Sequence, residues 1–354
     1  MFALRRLALA ASVSSLAIAC SASSENSPAD GGGGRGSGGA VATGGGGVSP
    51  GGTGGVSSSS SGSGGETAAG SGGAMAPADA GGGGAPGGDG GPATGDGGGL
   101  APANPSAGCG TPAGQALAMY VPKTIMSGGM ARSYRLYLPD GYEPTRAYPT
   151  IILAHGCGGN GGLPFPIETA SKNEAIVVAL KSVGGCFVYS PTGMDVTYFD
   201  DVLAEVSANH CVDKARVFMA GFSSGSWLTH TIGCVRAGVV RAQGNASGNQ
   251  VALPACKGPI AALFAHDVND NMNSFAGAAV ARDRILKSNG CGTQTQPYDW
   301  DGDPATPSTC VSYQGCMAGY PVVWCPTMAP PGKPTHNNQV PITTVGLWRF
   351  WKQF

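Results

Sequence analysis

Residues 215–225 read ARVFMAGFSSG, an apolar run that ends in Gly221-Phe222-Ser223-Ser224-Gly225 and passes into a helix-compatible segment, Ser226 to Cys234. A strand that turns abruptly into a helix with a serine at the apex holds that serine in a strained backbone conformation, and bulky neighbours would obstruct the turn. Glycine at 221 and 225 meets this requirement and leaves Ser223 as a candidate nucleophile. The GxSxG pattern alone says little in a chain with 62 glycines. Its place after a strand-like run carries the weight, against the plainer reading of an ordinary turn.

Working outward, Arg132 to Leu138 alternates as a strand does, and Tyr148 to Ala154 is an apolar run opening into His155-Gly156-Cys157-Gly158-Gly159-Asn160-Gly161-Gly162. Glu168 to Asn173 reads as a short helix, and Ile176 to Leu180 and Phe187 to Tyr189 as strands. Val196, Phe199, Val202, Leu203 and Val206 put an apolar stripe on a helix from Asp195 to Asn209. Strand Arg216 to Ala220 delivers Ser223, and further strands are expected at Val239 to Ala246, Ile260 to Ala265 and Pro321 to Cys325. Helices are expected at Ala276 to Ser288, closed by Asn289-Gly290, and at Thr344 to Phe354. Strands alternating with helices in this way predict an α/β fold, a mostly parallel sheet with helices on both faces. Ligands of such sheets bind beyond the carboxyl ends of the strands. Ser223, His155, Asp270 and His336 each follow a predicted strand, so one rim would collect all four.

The amino terminus differs from this region. Residues 1–20, MFALRRLALAASVSSLAIAC, have a basic start at Arg5 and Arg6, an apolar stretch from Leu7 to Ile18 and small residues before Cys20, which reads as an export signal too short for a permanent membrane span. Ala17-Ile18-Ala19-Cys20 resembles a bacterial lipobox, with Ala17 in place of the usual leucine, so Cys20 is a candidate lipidation site. The alternative is plain cleavage and secretion. Of the 62 glycines, 33 fall between Gly31 and Gly99 among Ser, Ala and Pro, so residues 21–108 read as a disordered linker that cannot bury a core. Residues 109–354 then form one catalytic domain.

Ten of the 11 cysteines lie from Cys109 onward, an even number suited to disulfides in an exported protein. No CxxC pair occurs and the histidines are not clustered with the cysteines, so neither a zinc site nor a cofactor is expected. Asp299, Asp301 and Asp303 lack the downstream glutamate of a calcium loop and read as a solvated loop. A net charge of −1 with 12% charged residues argues against nucleic acid or an anionic membrane surface as partner.

A serine hydroxyl needs an imidazole to take its proton, and the imidazole needs a carboxylate to fix its tautomer. His336 is the histidine that follows the last predicted strand, and it is the expected base; the plainer reading is a surface loop histidine. His210 and His230 fall on predicted helices as structural residues, and His155 is placed to shape the glycine-rich loop. Asp270 and Asp267 compete for the acid; Asp270 sits further out on the rim. The oxyanion of an acyl-transfer intermediate calls for two N–H donors, expected from Ser224 and from Gly156 to Cys157. Phe222, Trp227 and Trp324 are expected to line an apolar substrate slot, with core packing as the alternative for the two tryptophans.

YRLYLPDGY at 134–142, HGCGGNGG at 155–162, DVTYFDDVLAEV at 195–206, NHCVDKARVFMAGFSSGSW from Asn209, RDRILKSNGC from Arg282 and YQGCMAGYPVVWC at 313–325 form a further pattern. Together with the closing LWRFWKQF they resemble the secreted feruloyl esterases of carbohydrate esterase family one and the related polyhydroxybutyrate depolymerase-like esterases. The resemblance implies an α/β-hydrolase fold and Ser223, Asp270 and His336 as nucleophile, acid and base, with HDVND at 266–270 matching the family's HGxxD turn. The family usually has glycine where Asp267 stands and paired glycines before its base, where this chain reads GKPTHNNQVP at 332–341; both departures touch substrate range. The implied function is an exported serine esterase, at the outer membrane or cell surface or else secreted, that releases hydroxycinnamates from plant cell-wall polysaccharide. Alternatives are a polyhydroxybutyrate depolymerase, an acetylxylan esterase or, outside enzymes, a surface binding lipoprotein on an inactive scaffold.

Overall fold

The computed structural model describes residues 102–249 and 255–354. The signal segment, Cys20 and the glycine-rich stretch to residue 101 lie outside the described residues. In chain order the elements are β1 (Tyr120–Ser127), β2 (Met130–Tyr137), β3 (Tyr148–Ala154), α1 (Ile167–Ser171), β4 (Ile176–Leu180), α2 (Met194–Asn209), β5 (Val212–Phe222), α3 (Ser224–Val235), β6 (Ala242–Ala246), β7 (Ala261–Asp267), α4 (Phe275–Ser288), β8 (Thr295–Pro297), β9 (Val311–Tyr313), β10 (Val322–Thr327) and α5 (Leu347–Trp351).

The strands form one 10-stranded sheet in the order β1-β2-β4-β3-β5-β6-β7-β10-β9-β8. Its centre, from β4 to β10, is parallel, and the hairpin β1-β2 and the short β8 and β9 run antiparallel at the two edges. Apolar side chains alternate to both faces, as burial on both sides demands. One face packs Ile152, Val178, Met219 and Phe264 against α2, α3 and α4, and the other packs Ile151, Phe218, Leu263 and Val323 against α1 and α5. This is the α/β-hydrolase arrangement, and it brings the carboxyl ends of β3, β5, β6, β7 and β10 side by side.

Differences from the sequence reading have local causes. Phe187 to Tyr189 is irregular: the Val188 N–H donates to Asp195 Oδ2 at 2.6 Å instead of to a strand. Asp195 is itself buried against Arg132 at 2.5 Å, whose guanidinium lies 3.8 Å over the Tyr198 ring. The closing helix begins as a π-helical turn, Ile342–Gly346, before α5. The globular fold also starts before residue 109. Asn104 N–H donates to Asp213, Ser106 N–H to the Val212 carbonyl and Gly108 N–H to the Ser207 carbonyl, bonds of 2.8 to 2.9 Å that composition could not reveal.

Five disulfides staple the domain: Cys109–Cys211, Cys157–Cys186, Cys234–Cys256, Cys291–Cys316 and Cys310–Cys325. Such a density fits an exported protein in an oxidising compartment. Among the described residues no helix is long and apolar enough to cross a membrane.

Candidate active site

The turn between β5 and α3 is tight for a steric reason. A Cβ on Gly221 would stand 2.1 Å from the Gly225 carbonyl oxygen, and one on Gly225 would stand 2.0 Å from the Ala154 carbonyl oxygen of β3. Both glycines are therefore obligatory where strand, turn and helix cross. Ser223 at the apex has φ 54 and ψ −117, a conformation costing about 1–3 kcal/mol in a non-glycine residue. The turn is held by Ser223 N–H donating to the Ala246 carbonyl of β6 at 3.0 Å and by the Ser223 carbonyl accepting from Ser226 and Trp227. Ser224 heads α3, so its amide lies at the positive end of the helix dipole.

His336 comes from the loop after β10. Its Nδ1 lies 2.9 Å from Asp270 Oδ2 and 3.1 Å from Oδ1, leaving Nε2 for the cleft that the ring lines. The Asp270 carboxylate also accepts from the Met272 and Asn273 amides at 2.9 Å, which fixes it in the turn after β7. Asp267 is turned elsewhere: its oxygens accept from the amides of Asn269 and Ala329, tying β7 to the loop after β10. The Phe222 ring lies 5.0 Å from the His336 ring, and its edge faces Gly156, where a Cβ would stand 2.9 Å from Phe222 Cδ1 and 3.2 Å from Ser223 Cβ. Ser223, Phe222, Gly156, His336 and Asp270 thus form one contiguous group. The Ser223 hydroxyl makes no hydrogen bond to His336 here; such contacts are often long without substrate and tighten with it.

The glycine-rich loop after β3 is locked. His155 Nε2 accepts from the Ser182 amide at 3.2 Å, so its proton sits on Nδ1 and is donated to the Gly156 carbonyl at 2.6 Å. Burial pushes this imidazole below its ordinary pKa, which favours the neutral ring the pattern needs. The Cys157–Cys186 disulfide and the bond from Gly158 N–H to the Gly185 carbonyl tie the loop to the segment after β4.

A cleft of about 470 Å³ borders this group at Gly156, Phe222 and His336, with Leu163, Pro164 and Pro334 as further apolar walls and His155, Asn337 and Asn338 among its polar side chains. Asn338 Nδ2 donates to the Pro164 carbonyl at 2.8 Å, joining the loop of His336 to the glycine-rich loop across the cleft.

Phe222 is placed at the cleft, but the two tryptophans are not. Trp324 is 5% exposed on β10, packed on Phe264 and Phe275 beneath Arg282. It belongs to the helix α2–α4 face, whereas Phe222 packs on the other face, so the slot assignment of Trp324 is corrected to core packing. Trp227 lies on α3 with its ring edge-on to Tyr189, outside the residues lining the cleft. Asp299, Asp301 and Asp303 accept from the amides of Gly302, Asp303 and Ala305, within their own loop. Sequence reading did not find Leu163, Pro164 or Asn338, nor the buried residues His266, Asn273 and Ser247 behind Asp270. The Leu163-Pro164 pair following a glycine-rich loop is the one signal that could have pointed to a cleft wall.

No family profile matches the chain. In direct sequence comparison it is 32% identical over 284 residues to feruloyl esterase D of Neurospora crassa, spanning 72% of this chain and 92% of that protein. Feruloyl esterase C of Emericella nidulans is 32% identical over 189 residues, 50% of this chain and 67% of that one. Among solved structures, an acetyl xylan esterase from Aspergillus awamori superposes with a TM-score of 0.52 at 14% identity, over 66% of this chain and 100% of that one, a likeness of fold. With 32% identity sustained through 92% of a relative, the chain belongs to the feruloyl esterase family, serine carboxylic ester hydrolases on the α/β-hydrolase fold.

Proposed function

We propose that Ser223, His336 and Asp270 act as nucleophile, base and acid in cleaving hydroxycinnamate esters of plant cell-wall polysaccharide. The observation that carries this reading is the cleft of about 470 Å³, lined by the apolar Leu163, Pro164, Phe222 and Pro334 and by His336. An aromatic acid buries a ring well in such a slot, and the uncharged walls suit a neutral ester. The relatives' name, feruloyl esterase, supports the same acyl group.

In the first step Ser223 Oγ attacks the ester carbonyl carbon while His336 Nε2 takes the hydroxyl proton, and Asp270 stabilises the imidazolium through Nδ1–H. The carbonyl oxygen becomes an oxyanion, for which the Ser224 amide is one donor. For the second, peptide planarity favours Cys157 over Gly156. The Gly156 carbonyl faces into the loop, towards His155 Nδ1 and the Gly159 amide, so the Cys157 N–H of the same trans peptide points the opposite way, outward. Collapse of the intermediate expels the sugar alkoxide, which takes the proton from His336, and leaves the acyl group on Ser223. Water, deprotonated by His336, then attacks the acyl carbon, releasing the free acid and regenerating the hydroxyl. The test is kcat/KM for methyl ferulate beside 4-nitrophenyl acetate and a 3-hydroxybutyrate oligomer. Preference for the oligomer by more than about tenfold, roughly 1.4 kcal/mol of transition-state binding, overturns the hydroxycinnamate reading.

Cys20 is further proposed as a lipid attachment point, on the strength of the Ala17-Ile18-Ala19-Cys20 pattern. Cys20→Ser should release the protein from the membrane fraction; unchanged membrane association removes this proposal.

A further inference from the structure

Ser247 follows β6, between the strand that delivers Ser223 and the strand that delivers Asp270. It is fully buried and has φ 47, a left-handed conformation that L side chains rarely adopt. Its neighbour Ala246 accepts the Ser223 amide at 3.0 Å, and its own amide donates to the Ala265 carbonyl of β7. Its carbonyl accepts from Asn273 Nδ2 at 2.7 Å, and the Asn273 amide in turn holds Asp270 Oδ1 at 2.9 Å. The Asn273 carbonyl is fixed by His266 Nε2 at 2.8 Å. Its hydroxyl donates to the carbonyl of Asn337, the residue after His336, at 2.6 Å, and accepts from Gln339 Nε2 at 3.1 Å. Gln339, also left-handed at φ 58, is held at its other end by Thr327 Oγ1 of β10. Ser247 therefore meets the acid turn through the Asn273 side chain and the backbone of the base loop through its hydroxyl, while its neighbour Ala246 holds the nucleophile turn. The base loop depends on it through the hydroxyl.

We propose that Ser247 is a positioning residue, whose hydroxyl sets the loop of His336 so that the imidazole stands in register with both Asp270 and Ser223. The inference rests on the assignment of His336 as base. A purely structural serine at this place would serve through its backbone alone, and glycine would do that better, since the left-handed conformation is unstrained without a Cβ. A positioning serine needs its oxygen. Each misplacement of a catalytic group by a fraction of an ångström to 1 Å lowers rate steeply, up to about a hundredfold.

The decisive variant is Ser247→Gly, assayed with the full-length protein on 4-nitrophenyl acetate. The expected result is a melting temperature lowered by no more than a few degrees, because relief of the left-handed strain offsets part of the two lost hydrogen bonds, with kcat lowered by at least about tenfold, KM within about twofold, and a displaced ascending limb of the kcat pH profile. Gln339→Leu, which removes the second partner of the hydroxyl, should lower kcat in the same manner. In the double variant the two losses should add less than independently, because they act on one contact. Wild-type kcat and pH profile in Ser247→Gly overturn the proposal. If Ser247→Gly does not fold, unchanged kcat in Gln339→Leu overturns it instead. Ser223→Ala run alongside separates the two claims: activity surviving in Ser223→Ala refutes the catalytic reading itself, whereas activity lost there and kept in Ser247→Gly refutes the role of Ser247 alone.

Discussion

His336 Nδ1 lies 2.9 Å from Asp270 Oδ2, while Asp267, three residues earlier, has both carboxylate oxygens engaged by backbone amides of Asn269 and Ala329. The two aspartates therefore separate by contact, one paired with an imidazole and the other bound into the backbone. Asp270→Asn should lower kcat on a soluble ester by roughly a thousandfold or more with little change in melting temperature. Asp267→Asn should do the reverse, weakening the tie between β7 and the loop after β10. Assays of kcat and thermal melts on both variants check this, and a larger kcat loss in Asp267→Asn would reverse the assignment of the acid.

The crossing of β3, the serine turn and α3 admits no side chain at residue 225. Gly225→Ala would drive a methyl group to 2.0 Å from the Ala154 carbonyl oxygen. Strand or helix must move, at a cost of at least about 3 kcal/mol, the upper range for overpacking. Urea denaturation should show this loss, and ester hydrolysis should fall with it because Ser223 shifts away from Cys157.

The Cys157–Cys186 disulfide fixes the loop proposed to supply an oxyanion donor, while Cys291–Cys316 lies after α4, away from the cleft. Cys157→Ser/Cys186→Ser should lower kcat by about tenfold, short of the roughly hundredfold for complete loss of one donor. Cys291→Ser/Cys316→Ser should lower melting temperature with kcat nearly unchanged. Equal kcat in the two double variants would dissociate the first disulfide from the chemistry.

Acid sensitivity should follow His230, which is wholly buried on α3 with burial pushing its pKa down to about 3. The unfolded chain takes up this proton near the ordinary histidine value of about 6.5, whereas the folded chain resists it. The stabilising effect is complete above that value and is lost as pH falls towards about 3. His210, lowered to about 4, acts in the same sense. Urea unfolding between pH 7 and 4 should therefore show a shallower decline for His230→Leu than for wild type, by up to about 1.4 kcal/mol per pH unit. Parallel declines would contradict this.

The serine turn was legible because its requirement is local: two close backbone crossings exclude Cβ atoms, and the sequence shows glycine at both. The parallel sheet was legible from apolar runs punctuated by helical stripes. Edge strands β1, β8 and β9 were not, because they are short or weakly alternating and take their structure from a neighbour. Trp324 was misplaced although period 2 along β10 sends Val322 and Trp324 to one face and Val323 and Cys325 to the other; the faces were readable, their relation to the cleft was not. Ser247 gave no signal at all. Its importance arises where two loops distant in sequence meet its hydroxyl and carbonyl, and only tertiary structure creates that meeting.

The central claim is tested most directly by measuring ferulate released from methyl ferulate by the full-length protein, wild type beside Ser223→Ala. The account predicts steady release by wild type and a rate at least about a thousandfold lower in the variant. Release by Ser223→Ala within about tenfold of wild type, or no release by wild type while other esters are cleaved, would contradict it.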